Sequence, residues 1–184
     1  MANTNTPFGL ALSRSQDGEN SGVVKNCYIP STNANKLYVG DAVVISGSNT
    51  AVYGEYGIGT LPTIAKAAAS GGIDGVIVGF LPTGEFESAG AYPASKEGIA
   101  LVSTNPMAKF NIQATGTVSA ADVGKYADIS TATAGNDYSG ISGMALDHST
   151  IATTDTLPLK IVGIADYLNN EAGEYAVVEV KLNK

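Results

Sequence analysis

A catalytic serine needs a base to take its proton, and histidine is the usual one. His148 is the only histidine of the chain, and it stands in the run Asp147-His148-Ser149. Three consecutive residues cannot bring three side chains around one reacting atom, so this run reads as a loop and no triad. Gly140-Ile141-Ser142-Gly143 begins like a nucleophile elbow, but Met144 stands where the sharp turn needs its second glycine. Phosphate chemistry fares no better. Gly124-Lys125 is preceded by Ser119 where a phosphate loop requires glycine, and Gly54, Gly57 and Gly59 come in the wrong order for a dinucleotide fingerprint.

Carboxylates and aromatics leave two weaker options. Glu85 and Glu87 flank Phe86, which on a strand puts both acids on one face about 7 Å apart. Such a pair could serve as acid and base in glycoside hydrolysis, or hold calcium, but it follows Pro82-Thr83-Gly84 and reads as a solvated loop. Tyr53, Tyr56 and Phe86 among glycines could form a sugar-stacking surface. Cys27, the single cysteine, excludes an internal disulfide and a cysteine-based zinc site, and its strand pattern fits a small buried hydrophobe. The expectation is a protein with no catalytic residue, no cofactor and no metal.

Composition narrows the partners. The 184 residues hold 10 Lys and Arg against 17 Asp and Glu, a net charge of −7. Dispersed basic residues in an acidic chain cannot displace many phosphate counterions, so no nucleic-acid partner is expected. No apolar run approaches the 18 residues of a membrane span. The polar start lacks the basic-then-apolar order of a signal peptide, so synthesis in a cytoplasm is expected. A chain of this length can bury about 70% of its unfolded surface in one domain.

The elements that would position any site are strands. Phe110, Ile112 and Ala114 alternate with Lys109, Asn111 and Gln113, and Val178, Val180 and Leu182 with Glu179, Lys181 and Asn183. Period two of this kind predicts sheets with one face on the core and one in water. Runs apolar on both faces, such as Ala42 to Ile45, Val76 to Val78, Ile99 to Val102 and Leu159 to Ile164, predict central or covered strands. Glycine- and asparagine-rich turns separate them, the pattern of a single small β-barrel or β-sandwich over residues 23–184. Helix is restricted to one or two short turns: Ser119 caps Ala120-Ala121-Asp122 before Gly124 stops it, and Ile64 to Ala69 fits helix and strand equally. Residues 1–22 show neither period and predict an extended N-terminal arm. Pro7, Phe8, Leu10 and Leu12 would give that arm an apolar contact with another surface.

Several phrases, in order, resemble the structural cement (capsid decoration) proteins of tailed bacteriophages. They are Pro7-Phe8-Gly9-Leu10 after a polar start, Tyr28-Ile29-Pro30-Ser31-Thr32, Leu37-Tyr38-Val39-Gly40-Asp41-Ala42-Val43 and Gly75-Val76-Ile77-Val78-Gly79-Phe80. Asp122-Val123-Gly124-Lys125-Tyr126-Ala127-Asp128, Ser139-Gly140 with Leu146-Asp147, Ala152-Thr153-Thr154 and Leu159-Lys160-Ile161-Val162-Gly163 continue the series. Residues 50–61 stand as an insertion in that pattern. The resemblance implies a non-enzymatic virion protein on the outer face of an icosahedral head. Its partners would be the major capsid protein and its own copies, with a trimer favoured. A carbohydrate-recognition module of a phage tail or adhesin is the alternative, resting on Tyr53, Tyr56 and Phe86.

Overall fold

The computed structural model describes residues 3–13, 24–50, 59–82 and 90–183. The chain is all-β, with 48% of it in strands. Five strands close a barrel in the order β2-β4-β3-β5-β6: β2 (Val24–Ile29), β3 (Ala42–Thr50), β4 (Thr60–Lys66), β5 (Gly75–Phe80) and β6 (Gly98–Ser103). Closure runs through β2 and β6, antiparallel from Val24 opposite Ser103 to Ile29 opposite Gly98. Residues at alternate positions point inward, so Cys27, Ile29, Val43, Ile64, Ile77, Ala100 and Val102 form the barrel's interior with Leu37 and Tyr92. Ile64 to Lys66 is strand and not helix: β4 pairs with β3, and Ile64 is 1% exposed inside the barrel.

A six-stranded antiparallel sheet packs beside the barrel in the order β1-β7-β13-β11-β9-β10. Its strands are β1 (Ala11–Leu12), β7 (Lys109–Gln113), β9 (Tyr126–Ser130), β10 (Ala145–Ala152), β11 (Leu159–Ile164) and β13 (Val177–Leu182). A two-stranded ribbon joins β8 (Thr117–Val118) to β12 (Gly173–Glu174). Phe110, Ile112, Val178 and Val180 face inward as their alternation requires, and they share one core with Ala42, Ala67, Ile73 and Val76 from the barrel side. Two further strands escaped the sequence pattern. β9 and β10 carry small and polar residues, and the turn-like Asp147-His148-Ser149 lies on β10, where β10 forms the sheet's edge.

Among the described residues the helical content is one 3-10 turn, Ala120–Asp122, whose Asp122 carboxylate accepts hydrogen bonds from the Ser119 amide (2.8 Å) and hydroxyl (2.7 Å).

The expected solvated face of β7 is not in water. Asn111 and Gln113 are buried, 6% and 3% exposed, because residues 3–13 and the 165–177 loop lie over them. Gln113 is matched to that cover on both ends of its amide. Its Oε1 accepts from the Thr6 amide (2.8 Å), and its Nε2 donates to the Thr4 carbonyl (2.8 Å) and the Tyr175 carbonyl (3.1 Å). Burying an amide unpaired is expensive, so this glutamine fixes the register of the N-terminal segment.

Candidate functional site

The N-terminal segment is extended, as expected, but residues 3–13 lie on the chain's own body. The Asn3 side chain donates to the Glu171 and Glu174 carbonyls. The Gly9 amide donates to Met144 (3.0 Å), Leu10 to Gly40 (2.9 Å) and Ser13 to Lys109 (2.9 Å), after which Ala11 and Leu12 pair with β7. Gly9 has φ +73 and passes so close to Gly40 that a Cβ would sit 2.6 Å from its carbonyl oxygen. Only glycine combines that dihedral with that approach.

Of the four arm residues expected to reach another surface, Leu10 is corrected. It is 2% exposed and belongs to the core shared by the barrel and the sheet. Pro7 and Phe8 are half-buried and Leu12 is exposed, so these three keep a side facing outward. Removing the segment takes a core side chain with it and is expected to cost stability, which removal of an arm reaching elsewhere would not.

The segment crosses the barrel–sheet junction beside a second strip of apolar residues that the sequence did not single out. Val39 forms an isolated parallel bridge with Ile141, and both are exposed. Tyr138, 96% exposed, stands in the adjoining turn, where Asn136 Oδ1 accepts from the amides of Tyr138 and Ser139. The Phe8 carbonyl lies 3.0 Å from where a Gly40 Cβ would stand, which brings the arm against this strip.

Beneath it is the junction's polar centre. Asp41, fully buried, accepts from the Tyr38 amide (3.0 Å) and the Ser142 hydroxyl (2.6 Å), and pairs with Lys66 (3.0 Å). The Lys66 ammonium also lies 5.3 Å from the centre of the Tyr38 ring. The Tyr38 hydroxyl donates to Asp137 (2.8 Å), which is paired with Lys36 (2.6 Å). Burial, then the hydrogen bond to Asp137 and the charges of Asp137 and Asp41, push the Tyr38 phenol up to about 12. The Lys36 and Tyr38 hydrogen bonds hold the Asp137 carboxyl below its usual range. Gly135 lies flat against the Tyr38 ring, where a Cβ would come within 2.6 Å of ring carbons. A cavity of about 420 Å³ opens beside these groups. Its two lysines are each neutralised by an aspartate, so it offers no unbalanced charge to an ion.

The remaining sequence candidates fall as follows. Cys27 is buried inside the barrel, and desolvation pushes its thiol up, away from nucleophilic form. His148 Nδ1 shares a hydrogen bond with Thr115 Oγ1 (3.0 Å) and its ring covers Gly116, a structural role on the sheet edge. Tyr53, Tyr56, Glu85, Phe86 and Glu87 lie outside the described residues. Among the described residues no three His, Cys, Asp or Glu side chains gather as metal ligands, and no helix is long and apolar enough to cross a membrane.

A second concavity, about 370 Å³, opens between residues 3–8 and the 165–177 loop. Phe8, Tyr167 and Tyr175 line it with the amides of Asn3, Gln113 and Asn169. Leu168, 93% exposed, projects beside it. The signal that could have found Leu168 was the one used for Phe8, an apolar side chain in an otherwise polar, turn-like run, here Asp166 to Asn170.

No protein-family model, curated protein or solved structure matches the chain.

Proposed function

We propose that this chain is a non-enzymatic capsid cement protein that binds the outer face of a tailed-phage head. In that role it bridges neighbouring copies of the major capsid protein. The observation that carries the reading is the apolar strip at the junction, Val39, Tyr138 and Ile141 beside the N-terminal segment. Apolar side chains grouped on an acidic surface mark a protein contact, and here they stand on backbone tied down from both sides. The order of sequence phrases shared with cement proteins supports the same reading, as does the net charge of −7, which DNA inside a head would repel. Repetition of one modest contact over a whole shell provides avidity, so no single contact has to be strong. Copies of the chain associate with one another, with a trimer favoured, and Leu12 on the two-residue edge strand β1 is available to such a contact.

The test is addition of purified protein to heads assembled from the major capsid protein encoded with it. Wild type is expected to decorate them as a regular lattice visible by electron microscopy. Ile141→Asp alters an exposed position and is expected to leave the melting temperature unchanged while lowering occupancy at least tenfold. Bare heads with wild type, or full occupancy with Ile141→Asp, would overturn the reading or its contact surface respectively.

A further inference from the structure

We propose that the groove between the N-terminal segment and the 165–177 loop is a binding site for a neutral saccharide, distinct from the apolar strip assigned to the head. Its lining holds no charged side chain, so neither an anion nor a cation finds a counter-charge there. What it offers is three aromatic residues, Phe8, Tyr167 and Tyr175, with the Asn169 side chain and threonine and tyrosine hydroxyls between them. The amide groups of Gln113 and Asn170 and the Asn3 Nδ2 are bonded to backbone and shape the wall. Flat apolar faces beside groups that both donate and accept suit a molecule with apolar C–H faces and a rim of hydroxyls. The volume of about 370 Å³ lies at the lower end of small-molecule sites.

The groove is built in advance of any ligand. Asn170 ties the loop shut, its Nδ2 donating to the Ala165 and Val177 carbonyls and its Oδ1 accepting from the Val177 amide. Gln113 fastens the opposite wall, as described above. Tyr167 accepts a hydrogen bond from Asn111 Nδ2 (2.6 Å), which orients the phenol and leaves its proton to donate. Tyr175 has φ +55, an outlier for a bulky residue. It is held there by its amide, which donates to Gly116 (3.1 Å), and by its carbonyl, which accepts from Gln113. Asn169 on the rim also has positive φ, at +65. Strain of this kind persists where the surroundings fix it, and it gathers at ligand sites.

A peptide fits this groove less well than a sugar. The Thr6 amide and the Thr4 carbonyl are already bonded to Gln113, so at these residues the wall offers no open strand edge for β-augmentation.

The test is a glycan array of uncharged oligosaccharides probed with the full chain, followed by titration calorimetry with the strongest hit. Binding to at least one neutral glycan is expected, weakened tenfold or more by Tyr167→Ala and by Asn169→Gly. Asn169→Gly keeps the positive φ while removing the amide, so it decides the matter if Tyr167→Ala unfolds. An array without neutral hits overturns the proposal. So does a hit whose affinity both variants leave unchanged, because the site then lies elsewhere. Protection of Tyr167 from modification on decorated heads, with no glycan bound by free protein, would make the groove a protein contact and overturn it equally. Head decoration by Ile141→Asp and glycan binding by Tyr167→Ala are separate readouts, so either idea can fail alone.

Discussion

The barrel and the sheet bury their strands by different means. In the barrel every strand has a neighbour on each side, and the inward residues, Ile29, Ile77 and Val102 among them, fill the interior. The sheet stays open, with β1 and β10 at its edges. One of its faces packs on the barrel, and over β7 the other is covered by borrowed chain: the N-terminal segment on one side and the 165–177 loop on the other. Closure makes a region self-sufficient, whereas an open sheet depends on segments distant in sequence. Both surfaces given roles above lie along that borrowed cover.

The largest effect should come from the link between the two regions. Asp41→Ala leaves the Lys66 ammonium and the Ser142 hydroxyl without their shared acceptor at the junction, and breaking a buried pair costs about 3–5 kcal/mol. Urea unfolding is the measurement. A loss under about 1 kcal/mol would mean that apolar packing through Ala42, Ala67 and Val76 joins the regions without help.

Next comes the cover. Leu10→Ala is expected to destabilise by about 2–5 kcal/mol, as for other fully buried leucines. Deleting residues 1–10 also strips two partners of Gln113, the Thr6 amide and the Thr4 carbonyl. Amide hydrogen exchange sharpens the contrast: the deletion should speed exchange in β7 and leave β6, inside the closed barrel, protected. Equal loss of protection in β6 and β7 would show that the two regions are a single cooperative unit and that the contrast is only architectural.

The smallest effects are those of pH. Tyr38 holds its proton to about 12 in the fold against 10 for a free phenol. Between those values the folded chain binds more protons than the unfolded one, so stability is full below pH 10 and falls as pH rises toward 12. Asp122 works in the opposite sense. Its hydrogen bond with Lys125, then those with Ser119, lower its carboxyl to about 2 from 3.8, so its contribution is present above pH 4 and lost as pH falls toward 2. Thermal melts from pH 2 to 12 should show both arms. Tyr38→Phe should flatten the alkaline arm, at the junction, and Asp122→Asn the acid arm, on the sheet side. An unchanged alkaline arm in Tyr38→Phe would place that transition on another tyrosine.

How much of this was legible beforehand follows from the range of each interaction. Phe110-Asn111-Ile112-Gln113 announced a strand and its inward face correctly, because alternation is a local property of pleated backbone. What covers the outward face was hidden, since Asn111 and Gln113 look equally comfortable in water or under a matched segment. Leu10 was visible as an apolar residue in a polar start, but whether its pocket belonged to this chain or another depended on Gly40 and Met144, which the alternating pattern does not mention. Asp41 gave no sign of its burial, because two of its three partners sit far off at positions 66 and 142 and only the Tyr38 amide is near. The groove was missed for the same reason, its walls being some 160 residues apart in the chain.

Sequence alone determined that this protein is built of strands, and that it is acidic with a single histidine and a single cysteine. Those properties follow from composition and from the two-residue period, which each short segment carries by itself. Tertiary structure decided that the strands divide between a closed barrel and an open sheet, that the N-terminal residues finish this chain's own body, and that aromatic rings far apart in order share one groove. Pairing between distant segments depends on shape and on matched buried polar groups, and those exist only once the chain has closed on itself.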